Sequence, residues 1–299
     1  MYQFPDSARV VFVGDSITAA NNYTSHIMAY YLENSKDKKV SFFNSSVPGG
    51  TTVSQLEYLY DQAMKYSPTH AVVTIGVNDS RFFLLENQRS TERYNDLAFW
   101  YESYKKTLPA LCDELEKNGV SIILCTPPPY AEYQPCGNAP LNGAYALVAE
   151  YAEFCRSLAA ERGYPLCDFH GYMTEKMQTE ILFDDDRVHP NDRGHYYMAK
   201  CFLSHQGFEI GEQKPIPEYL RELNSVAADI SHIFFVERHA IEDYNLPVQE
   251  KLLIIKDYVE NKKYPAELYG QLAEKYLKIK LQQDFLTERV IELTKNIFG

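Results

Sequence analysis

The stretch Arg9-Val10-Val11-Phe12-Val13-Gly14-Asp15-Ser16-Ile17-Thr18 joins an apolar run to a turn and the start of a helix. A short β-branched and aromatic run that ends at glycine is typical of a buried strand. Further apolar runs occur at residues 40–43, 71–75, 120–125 and 164–167, and stretches with helical spacing lie between them at residues 52–66, 91–118 and 142–162. This alternation predicts an α/β fold in which helices cover both faces of a parallel sheet.

The loop after the first strand carries Ser16. Ligands of open parallel sheets bind beyond the carboxyl ends of the strands, so the loops that begin at Gly14, Asn44, Gly76 and Thr126 are where we expect a site. A serine at a strand-to-helix turn is held outward, near the positive end of the following helix. Ser16 is therefore a candidate nucleophile, although Gly, Asp and Ser are also common turn residues.

The next two loops carry candidate donors for a developing oxyanion. Paired glycines in the loop at residues 44–52 let a backbone N–H approach a ligand closely, although a tight turn before a capped helix explains the same residues. Asn78, within Gly76-Val77-Asn78-Asp79, places a neutral amide donor at the end of the third strand. Asn and Asp also favour turns for local reasons.

A fourth signal is the segment Asp184-Asp185-Asp186-Arg187-Val188-His189-Pro190. Residues three apart can lie on the same side of one turn, so Asp186 can hold His189 in one tautomer while its other ring nitrogen faces Ser16. For the remaining histidines we predict structural roles; they are His26, His70, His170, His195, His205, His232 and His239.

All four signals occur in order, and three of them follow successive strands, which makes chance agreement improbable. Here the chain resembles the SGNH (GDSL) hydrolase superfamily, over roughly residues 9–205. The resemblance implies a flavodoxin-like three-layer α/β/α fold with a mainly parallel five-stranded sheet. It also implies a Ser16–His189–Asp186 triad, and an oxyanion hole formed by the backbone N–H groups of Ser16 and Gly49 with the Asn78 amide. Relatives often have glycine where this chain has Ser46, and spacing favours Gly49 over Gly50.

The remainder of the chain has a different character, so we predict a catalytic domain at residues 1–206 and a helical extension at residues 207–299. Glycines and prolines between residues 207 and 217 form a joint. Beyond it, apolar spacing predicts about three helices up to Phe298, broken near residues 245–247 and 264–265. A lid, a dimer interface and a buttress are all open roles for these helices. We favour packing on the catalytic domain with some part in self-association into a homo-oligomer.

Composition limits the possible partners. A formal net charge of -12 argues against nucleic acid as a partner. No apolar run is long enough for a membrane span and no signal peptide is evident, so we expect a soluble, cytoplasmic protein. The six cysteines include no Cys-x-x-Cys pair and no compact Cys/His cluster, so we interpret them as reduced, mostly buried thiols. We expect neither a metal site nor an organic cofactor.

These features predict a serine ester hydrolase that acts on a small-molecule ester through an acyl-enzyme. The family's substrates are diverse. Tyrosines near the expected rim, among them Tyr23, Tyr130 and Tyr133, favour a short acyl group, such as acetyl, on a saccharide, because aromatic rings pack on sugar faces. Two alternatives stay open: a lysophospholipase or thioesterase, and a non-catalytic saccharide-binding protein on the same fold.

Overall fold

The five predicted strands form one parallel sheet in the computed structural model, which describes residues 2–35, 37–86, 92–242 and 266–299. The strand order is β2-β1-β3-β4-β5. The strands are β1 (Arg9–Gly14), β2 (Ser41–Asn44), β3 (His70–Thr74), β4 (Ser121–Cys125) and β5 (Leu166–Cys167). Every residue of β3 is buried, as a strand covered on both faces requires. The predicted α/β fold with a five-stranded parallel sheet is thus confirmed.

Helices follow the strands in the predicted alternation. Because the chain steps from β1 to β2 in one direction and from β2 through β5 in the other, right-handed crossovers put the intervening helices on opposite faces. The carboxyl ends of all five strands meet at one edge. The helices of this part are α1 (Ser16–Ala19), α2 (Asn22–Asn34), α3 (Thr52–Glu57), α4 (Leu59–Gln62), α5 (Glu92–Lys117), α6 (Ala144–Arg162), α7 (Phe169–Lys176) and α8 (Asp192–His205).

The helix predicted over residues 52–66 is divided into three pieces. The helices α3 and α4 are followed by a 3-10 turn at Met64–Tyr66. Tyr58, between the first two, has φ -103° and ψ 13°, which lie outside the helical range. Apolar spacing reports which side of a segment is buried, and it stays regular across such a break.

Beyond residue 206 the structure describes two long helices, α9 (Arg221–Glu242) and α10 (Ala266–Phe298), which pack against each other. α10 also packs on the edge strand β2, where the Phe298 and Phe42 rings lie 5.5 Å apart. The predicted helix breaks near residues 245–247 and 264–265 lie outside the described residues. In the part of the chain that is described, no helix has the length and apolar character needed to cross a bilayer.

Apolar side chains on α9 and α10 belong to the same buried cluster as the sheet. Fully burying each one contributes roughly 1.5–3 kcal/mol. They are Leu223, Ile230, Val290, Leu293 and Phe298. These contacts agree with the expectation that the C-terminal helices pack on the α/β unit.

Candidate active site

Ser16 is the first residue of α1, directly after β1. Asp15 caps this helix, since its carboxylate Oδ1 accepts the N–H of Ile17 at 3.0 Å. The cap and the end of β1 together hold the backbone of Ser16 at the carboxyl edge of the sheet.

The fold brings Ser16, His189 and Asp186 into one hydrogen-bonded chain. The Ser16 Oγ lies 2.8 Å from His189 Nε2, although the two residues are far apart in sequence. The His189 Nδ1 lies 2.5 Å from Asp186 Oδ2. An ionised carboxylate only accepts hydrogen bonds, so Nδ1 carries the proton and Nε2 accepts from the Ser16 hydroxyl. In this tautomer the imidazole can take up the hydroxyl proton.

Asp186 is held in its ionised form. Partial burial raises the pKa of its carboxyl, but hydrogen bonds from the His189 side chain and from the N–H groups of His189 and Val188 outweigh this and lower the pKa below its ordinary value. Both N–H groups donate to Oδ1 at 2.9 Å. Asp186 therefore stays negative at neutral pH, where it can stabilise a positive imidazole.

Arg187 anchors the turn that carries Asp186 and His189, and sequence reasoning missed it. Its backbone φ of 67° is unusual for a residue with a side chain of this size. The buried guanidinium donates to five backbone carbonyls of the loop at residues 131–138, at distances of 2.6–3.5 Å; the acceptors belong to Ala131, Glu132, Gln134, Cys136 and Asn138. These bonds hold the left-handed backbone in place. No local pattern predicts them, because the carbonyls lie about 50 residues away.

The loop at residues 44–52, here called the glycine loop, meets Asn78 beside β1. Gly49 is exposed and has φ 70°, which favours glycine. At Gly50 an added Cβ would lie 2.9 Å from the Val47 carbonyl oxygen and 3.2 Å from that of Gly14. Asn78 Nδ2 donates to the Gly50 carbonyl at 3.1 Å, which uses one of its two amide N–H groups. The three loops are therefore in mutual contact.

Two buried carboxyl groups lie behind these loops. Burial raises the pKa of Asp15 to about 7 and that of Asp79 to about 6. Asp79 Oδ1 accepts the backbone N–H of Thr52 at 2.9 Å and its hydroxyl at 2.5 Å, which ties the third loop to α3. Because burial shifts both pKa values, the free energy of unfolding depends on pH.

Replacing Asp15 by asparagine should flatten the fall of the melting temperature between about pH 4 and pH 7. The unfolded carboxyl ionises near its ordinary pKa of 3.8 and the folded one near 7. Stability is therefore lost as pH rises between these values, by up to about 1.4 kcal/mol per pH unit. The asparagine keeps an oxygen for the Ile17 N–H. Thermal melts across this range test the effect, and the fall due to Asp79 should persist.

The matched control is Asp184→Asn, which makes the same charge change at an exposed position. If the melting temperature of Asp15→Asn fell with pH as steeply as that of the wild type, the pH dependence would not come from Asp15.

Two of the three tyrosines expected at the rim are core residues, so that part of the sequence interpretation is corrected. Tyr23 is fully buried and its hydroxyl hydrogen-bonds Thr18. Tyr130 is buried in a small cluster and accepts the Leu141 N–H at 3.1 Å. Both hydroxyl groups find partners inside the protein, which is why the rings can be buried. Tyr133 is 78% exposed.

A cavity of about 400 Å³ opens beside Ser16. It is walled mostly by small side chains from α1, the glycine loop and α9; they are Ala19, Ala20, Pro48, Ala228, Ser231 and His232. Ser231 donates to the Ser46 carbonyl at 2.6 Å, which holds α9 against the glycine loop. His232, for which a structural role was predicted, lines this cavity.

A second cavity, of about 530 Å³, shares Ala20 and Ala228 with the first. Most of its other walls are polar or charged, among them Asn22, Asp192, Gln213, Lys214, Arg221 and Asn224. A small, largely apolar space at Ser16 therefore adjoins a larger polar one.

Comparisons with known proteins identify the family and agree with the fold. The GDSL-like lipase/acylhydrolase family matches residues 12–197. An acetylxylan esterase of Geobacillus stearothermophilus is 22% identical over 218 residues, which are 67% of this chain and 94% of the relative. A solved acetylxylan esterase from the same organism has a TM-score of 0.59 at 21% identity, covering 71% of this chain and 100% of that one. A gut microbial diltiazem-metabolizing enzyme has a TM-score of 0.62 at 26% identity, covering 70% of this chain and 48% of that one.

Proposed function

Because this chain belongs to the GDSL-like lipase/acylhydrolase family and is a carboxylic ester hydrolase, we propose that Ser16, His189 and Asp186 perform the hydrolysis. The observation that carries the proposal is the pair of contacts at His189, 2.8 Å to the Ser16 hydroxyl and 2.5 Å to the Asp186 carboxylate. Solved acetylxylan esterases with a serine or an aspartate replaced by alanine are described as catalytic mutants, which supports the same residue types here.

In the proposed reaction, Ser16 Oγ attacks the ester carbonyl carbon while His189 Nε2 takes up the hydroxyl proton. The N–H groups of Ser16 and Gly49 and the Asn78 amide stabilise the negative oxygen of the tetrahedral intermediate. The intermediate collapses to an acyl-Ser16 ester, and His189 protonates the departing alcohol. Water, deprotonated by His189, then attacks the acyl group and regenerates Ser16.

Replacing Asn78 by alanine should lower kcat on the order of 10²–10³-fold, with a smaller change in KM, because the missing donor acts on charge that develops in the transition state. Steady-state kinetics on a short p-nitrophenyl ester measure the effect. Asn118→Ala, which removes an exposed amide on another surface, is the control. A variant with kcat within twofold of the wild type would exclude Asn78 from the oxyanion hole.

For the substrate we propose an acetyl or similarly short ester of a saccharide. The cavity at Ser16, about 400 Å³ in volume, has room for an acyl group together with part of the alcohol. The adjoining cavity offers amide, carboxylate and cationic side chains, which can hydrogen-bond the hydroxyl groups of a sugar. Acetylxylan esterases among the similar proteins support the same substrate class.

A substrate panel tests this proposal. We expect higher kcat/KM for acetylated xylo-oligosaccharides than for long-chain lysophospholipids or acyl thioesters. A preference for long acyl chains would instead identify a lysophospholipase or thioesterase.

Ala228→Trp sharpens the test, since Ala228 is exposed and lies where the two cavities meet. The indole should lower kcat/KM for the acetylated oligosaccharide far more than for p-nitrophenyl acetate, which is too small to extend into the second cavity. Asp229→Trp adds the same ring to α9 at an exposed residue that lines neither cavity, and should act as wild type. Equal effects of the two tryptophans on both substrates would contradict the proposed binding mode.

A further inference from the structure

We propose that Cys167, Cys201 and His205 bind a thiophilic d10 cation of the Zn²⁺ class, at a site separate from Ser16. The two thiol sulfurs and an imidazole nitrogen lie within 4.8 Å of one another. We expected no metal site from the sequence, because it has no Cys-x-x-Cys pair and no compact cluster of three Cys or His residues. The fold assembles the three residues from two elements.

Two of the ligands lie on one face of a helix. Cys201 and His205 are four residues apart on α8, so their side chains project in the same direction. Cys167 ends β5, and its Sγ lies 3.6 Å from that of Cys201. Tetrahedral coordination with Zn–S bonds of about 2.3 Å separates two sulfurs by about 3.8 Å. The thiol pair therefore needs little movement to share one ion.

A cavity adjoins two of the three ligands, Cys167 and His205. It has a volume of about 380 Å³, and Cys167, His205 and Gln206 contribute to its walls. Gln206 is 3% exposed, and its Nε2 has no hydrogen-bond partner among the residues that the structure describes. A fourth ligand in this cavity, such as water, can complete the tetrahedron of a three-residue site and accept a hydrogen bond from that amide.

Metal binding displaces the two thiol protons to solvent and leaves two thiolates on the ion, so affinity should rise with pH.

The position of the ligands defines what the ion would do. Cys201 and His205 lie on the second half of α8, about three turns beyond Asp192 at its start, and none of the three ligands lines the cavity at Ser16. A bound ion would link the edge strand β5 to α8, so it should stabilise the fold, and ester hydrolysis should not require it.

Cobalt titration of the reduced, chelator-treated full-length protein tests the proposal. We expect one Co²⁺ per chain, with thiolate charge-transfer absorption and the visible bands of tetrahedral cobalt, and displacement by Zn²⁺. Cys167→Ser and Cys201→Ser should lose the absorption. Cys112→Ser, which alters a fully buried thiol elsewhere, should keep it.

His205→Asn serves where a serine variant fails to fold, because His205 is exposed. Loss of a group that only hydrogen-bonds a metal ligand weakens metal binding by about 10–100-fold. Because His205 is a proposed ligand itself, this variant should weaken Zn²⁺ binding by more than that. Zn²⁺ should also raise the Tm of the wild type and of Cys112→Ser, but not of Cys201→Ser. Absence of thiolate absorption at saturating Co²⁺, or its persistence in Cys201→Ser, would overturn the proposal.

Discussion

Ser16→Ala is expected to lower kcat for a short p-nitrophenyl ester on the order of 10⁶-fold, the size of the loss when a nucleophile of a Ser-His-Asp triad is removed. Without the hydroxyl no acyl-enzyme can form, and His189 has no alcohol to deprotonate. The residual rate would come from the oxyanion hole and from binding alone. Steady-state kinetics measure the loss, and a fluorophosphonate probe should label the wild type but not the variant.

Ser231→Ala is the matched control for labelling. Ser231 lines the same cavity as Ser16, but its hydroxyl donates to the Ser46 carbonyl and not to an imidazole. This variant should still react with the probe. If Ser16→Ala kept wild-type hydrolysis, or if the wild type did not react at all, the proposed nucleophile would be wrong. The second outcome would favour the non-catalytic saccharide-binding alternative.

Asp186→Asn should lower kcat on the order of 10⁴-fold while leaving the turn intact. The asparagine oxygen can still accept the N–H groups of Val188 and His189, now bound by Asp186 Oδ1. Its amide can donate to His189 Nδ1, however, which would place the ring proton on Nε2. In that tautomer the imidazole cannot accept the Ser16 proton. The kcat for the ester and the rate of labelling by the fluorophosphonate probe should both fall.

Asp184→Asn makes the same change of net charge two residues away, at an exposed position, and should retain activity. A loss in both variants would indicate a general electrostatic effect of this acidic turn. Wild-type kcat in Asp186→Asn would remove Asp186 from the proposed triad.

The sheet and the candidate triad could be predicted from sequence because their signals are local. Strands such as Arg9–Gly14 are mostly apolar runs, and Ser16 and Asn78 lie within two and four residues of the ends of β1 and β3. Parallel strands bring their carboxyl ends to one edge, so local order along the chain becomes proximity in space. The contact between Ser16 and His189 follows the same logic once the Asp-x-x-His turn is identified.

The structural features that could not be predicted from the sequence depend on contacts between distant segments. Burial of Tyr23 and Tyr130 reflects how helices pack on the sheet, and a tyrosine has the same residue type at a rim or in a core. The α9 wall of the small cavity depends on how the C-terminal helices fold back. The cluster of Cys167, Cys201 and His205 needs β5 and α8 side by side.

The backbone carbonyls that bind the Arg187 guanidinium limit how the loop at residues 131–138 can be engineered. The loop at residues 131–138 looks like a module that could be exchanged to alter selectivity, yet its backbone oxygens hold the residue between Asp186 and His189. A grafted loop of different length would release the guanidinium and relax the left-handed turn. Directed evolution of this enzyme should therefore vary α9 first, since the cavity wall there can be altered without changing the turn that carries Asp186 and His189.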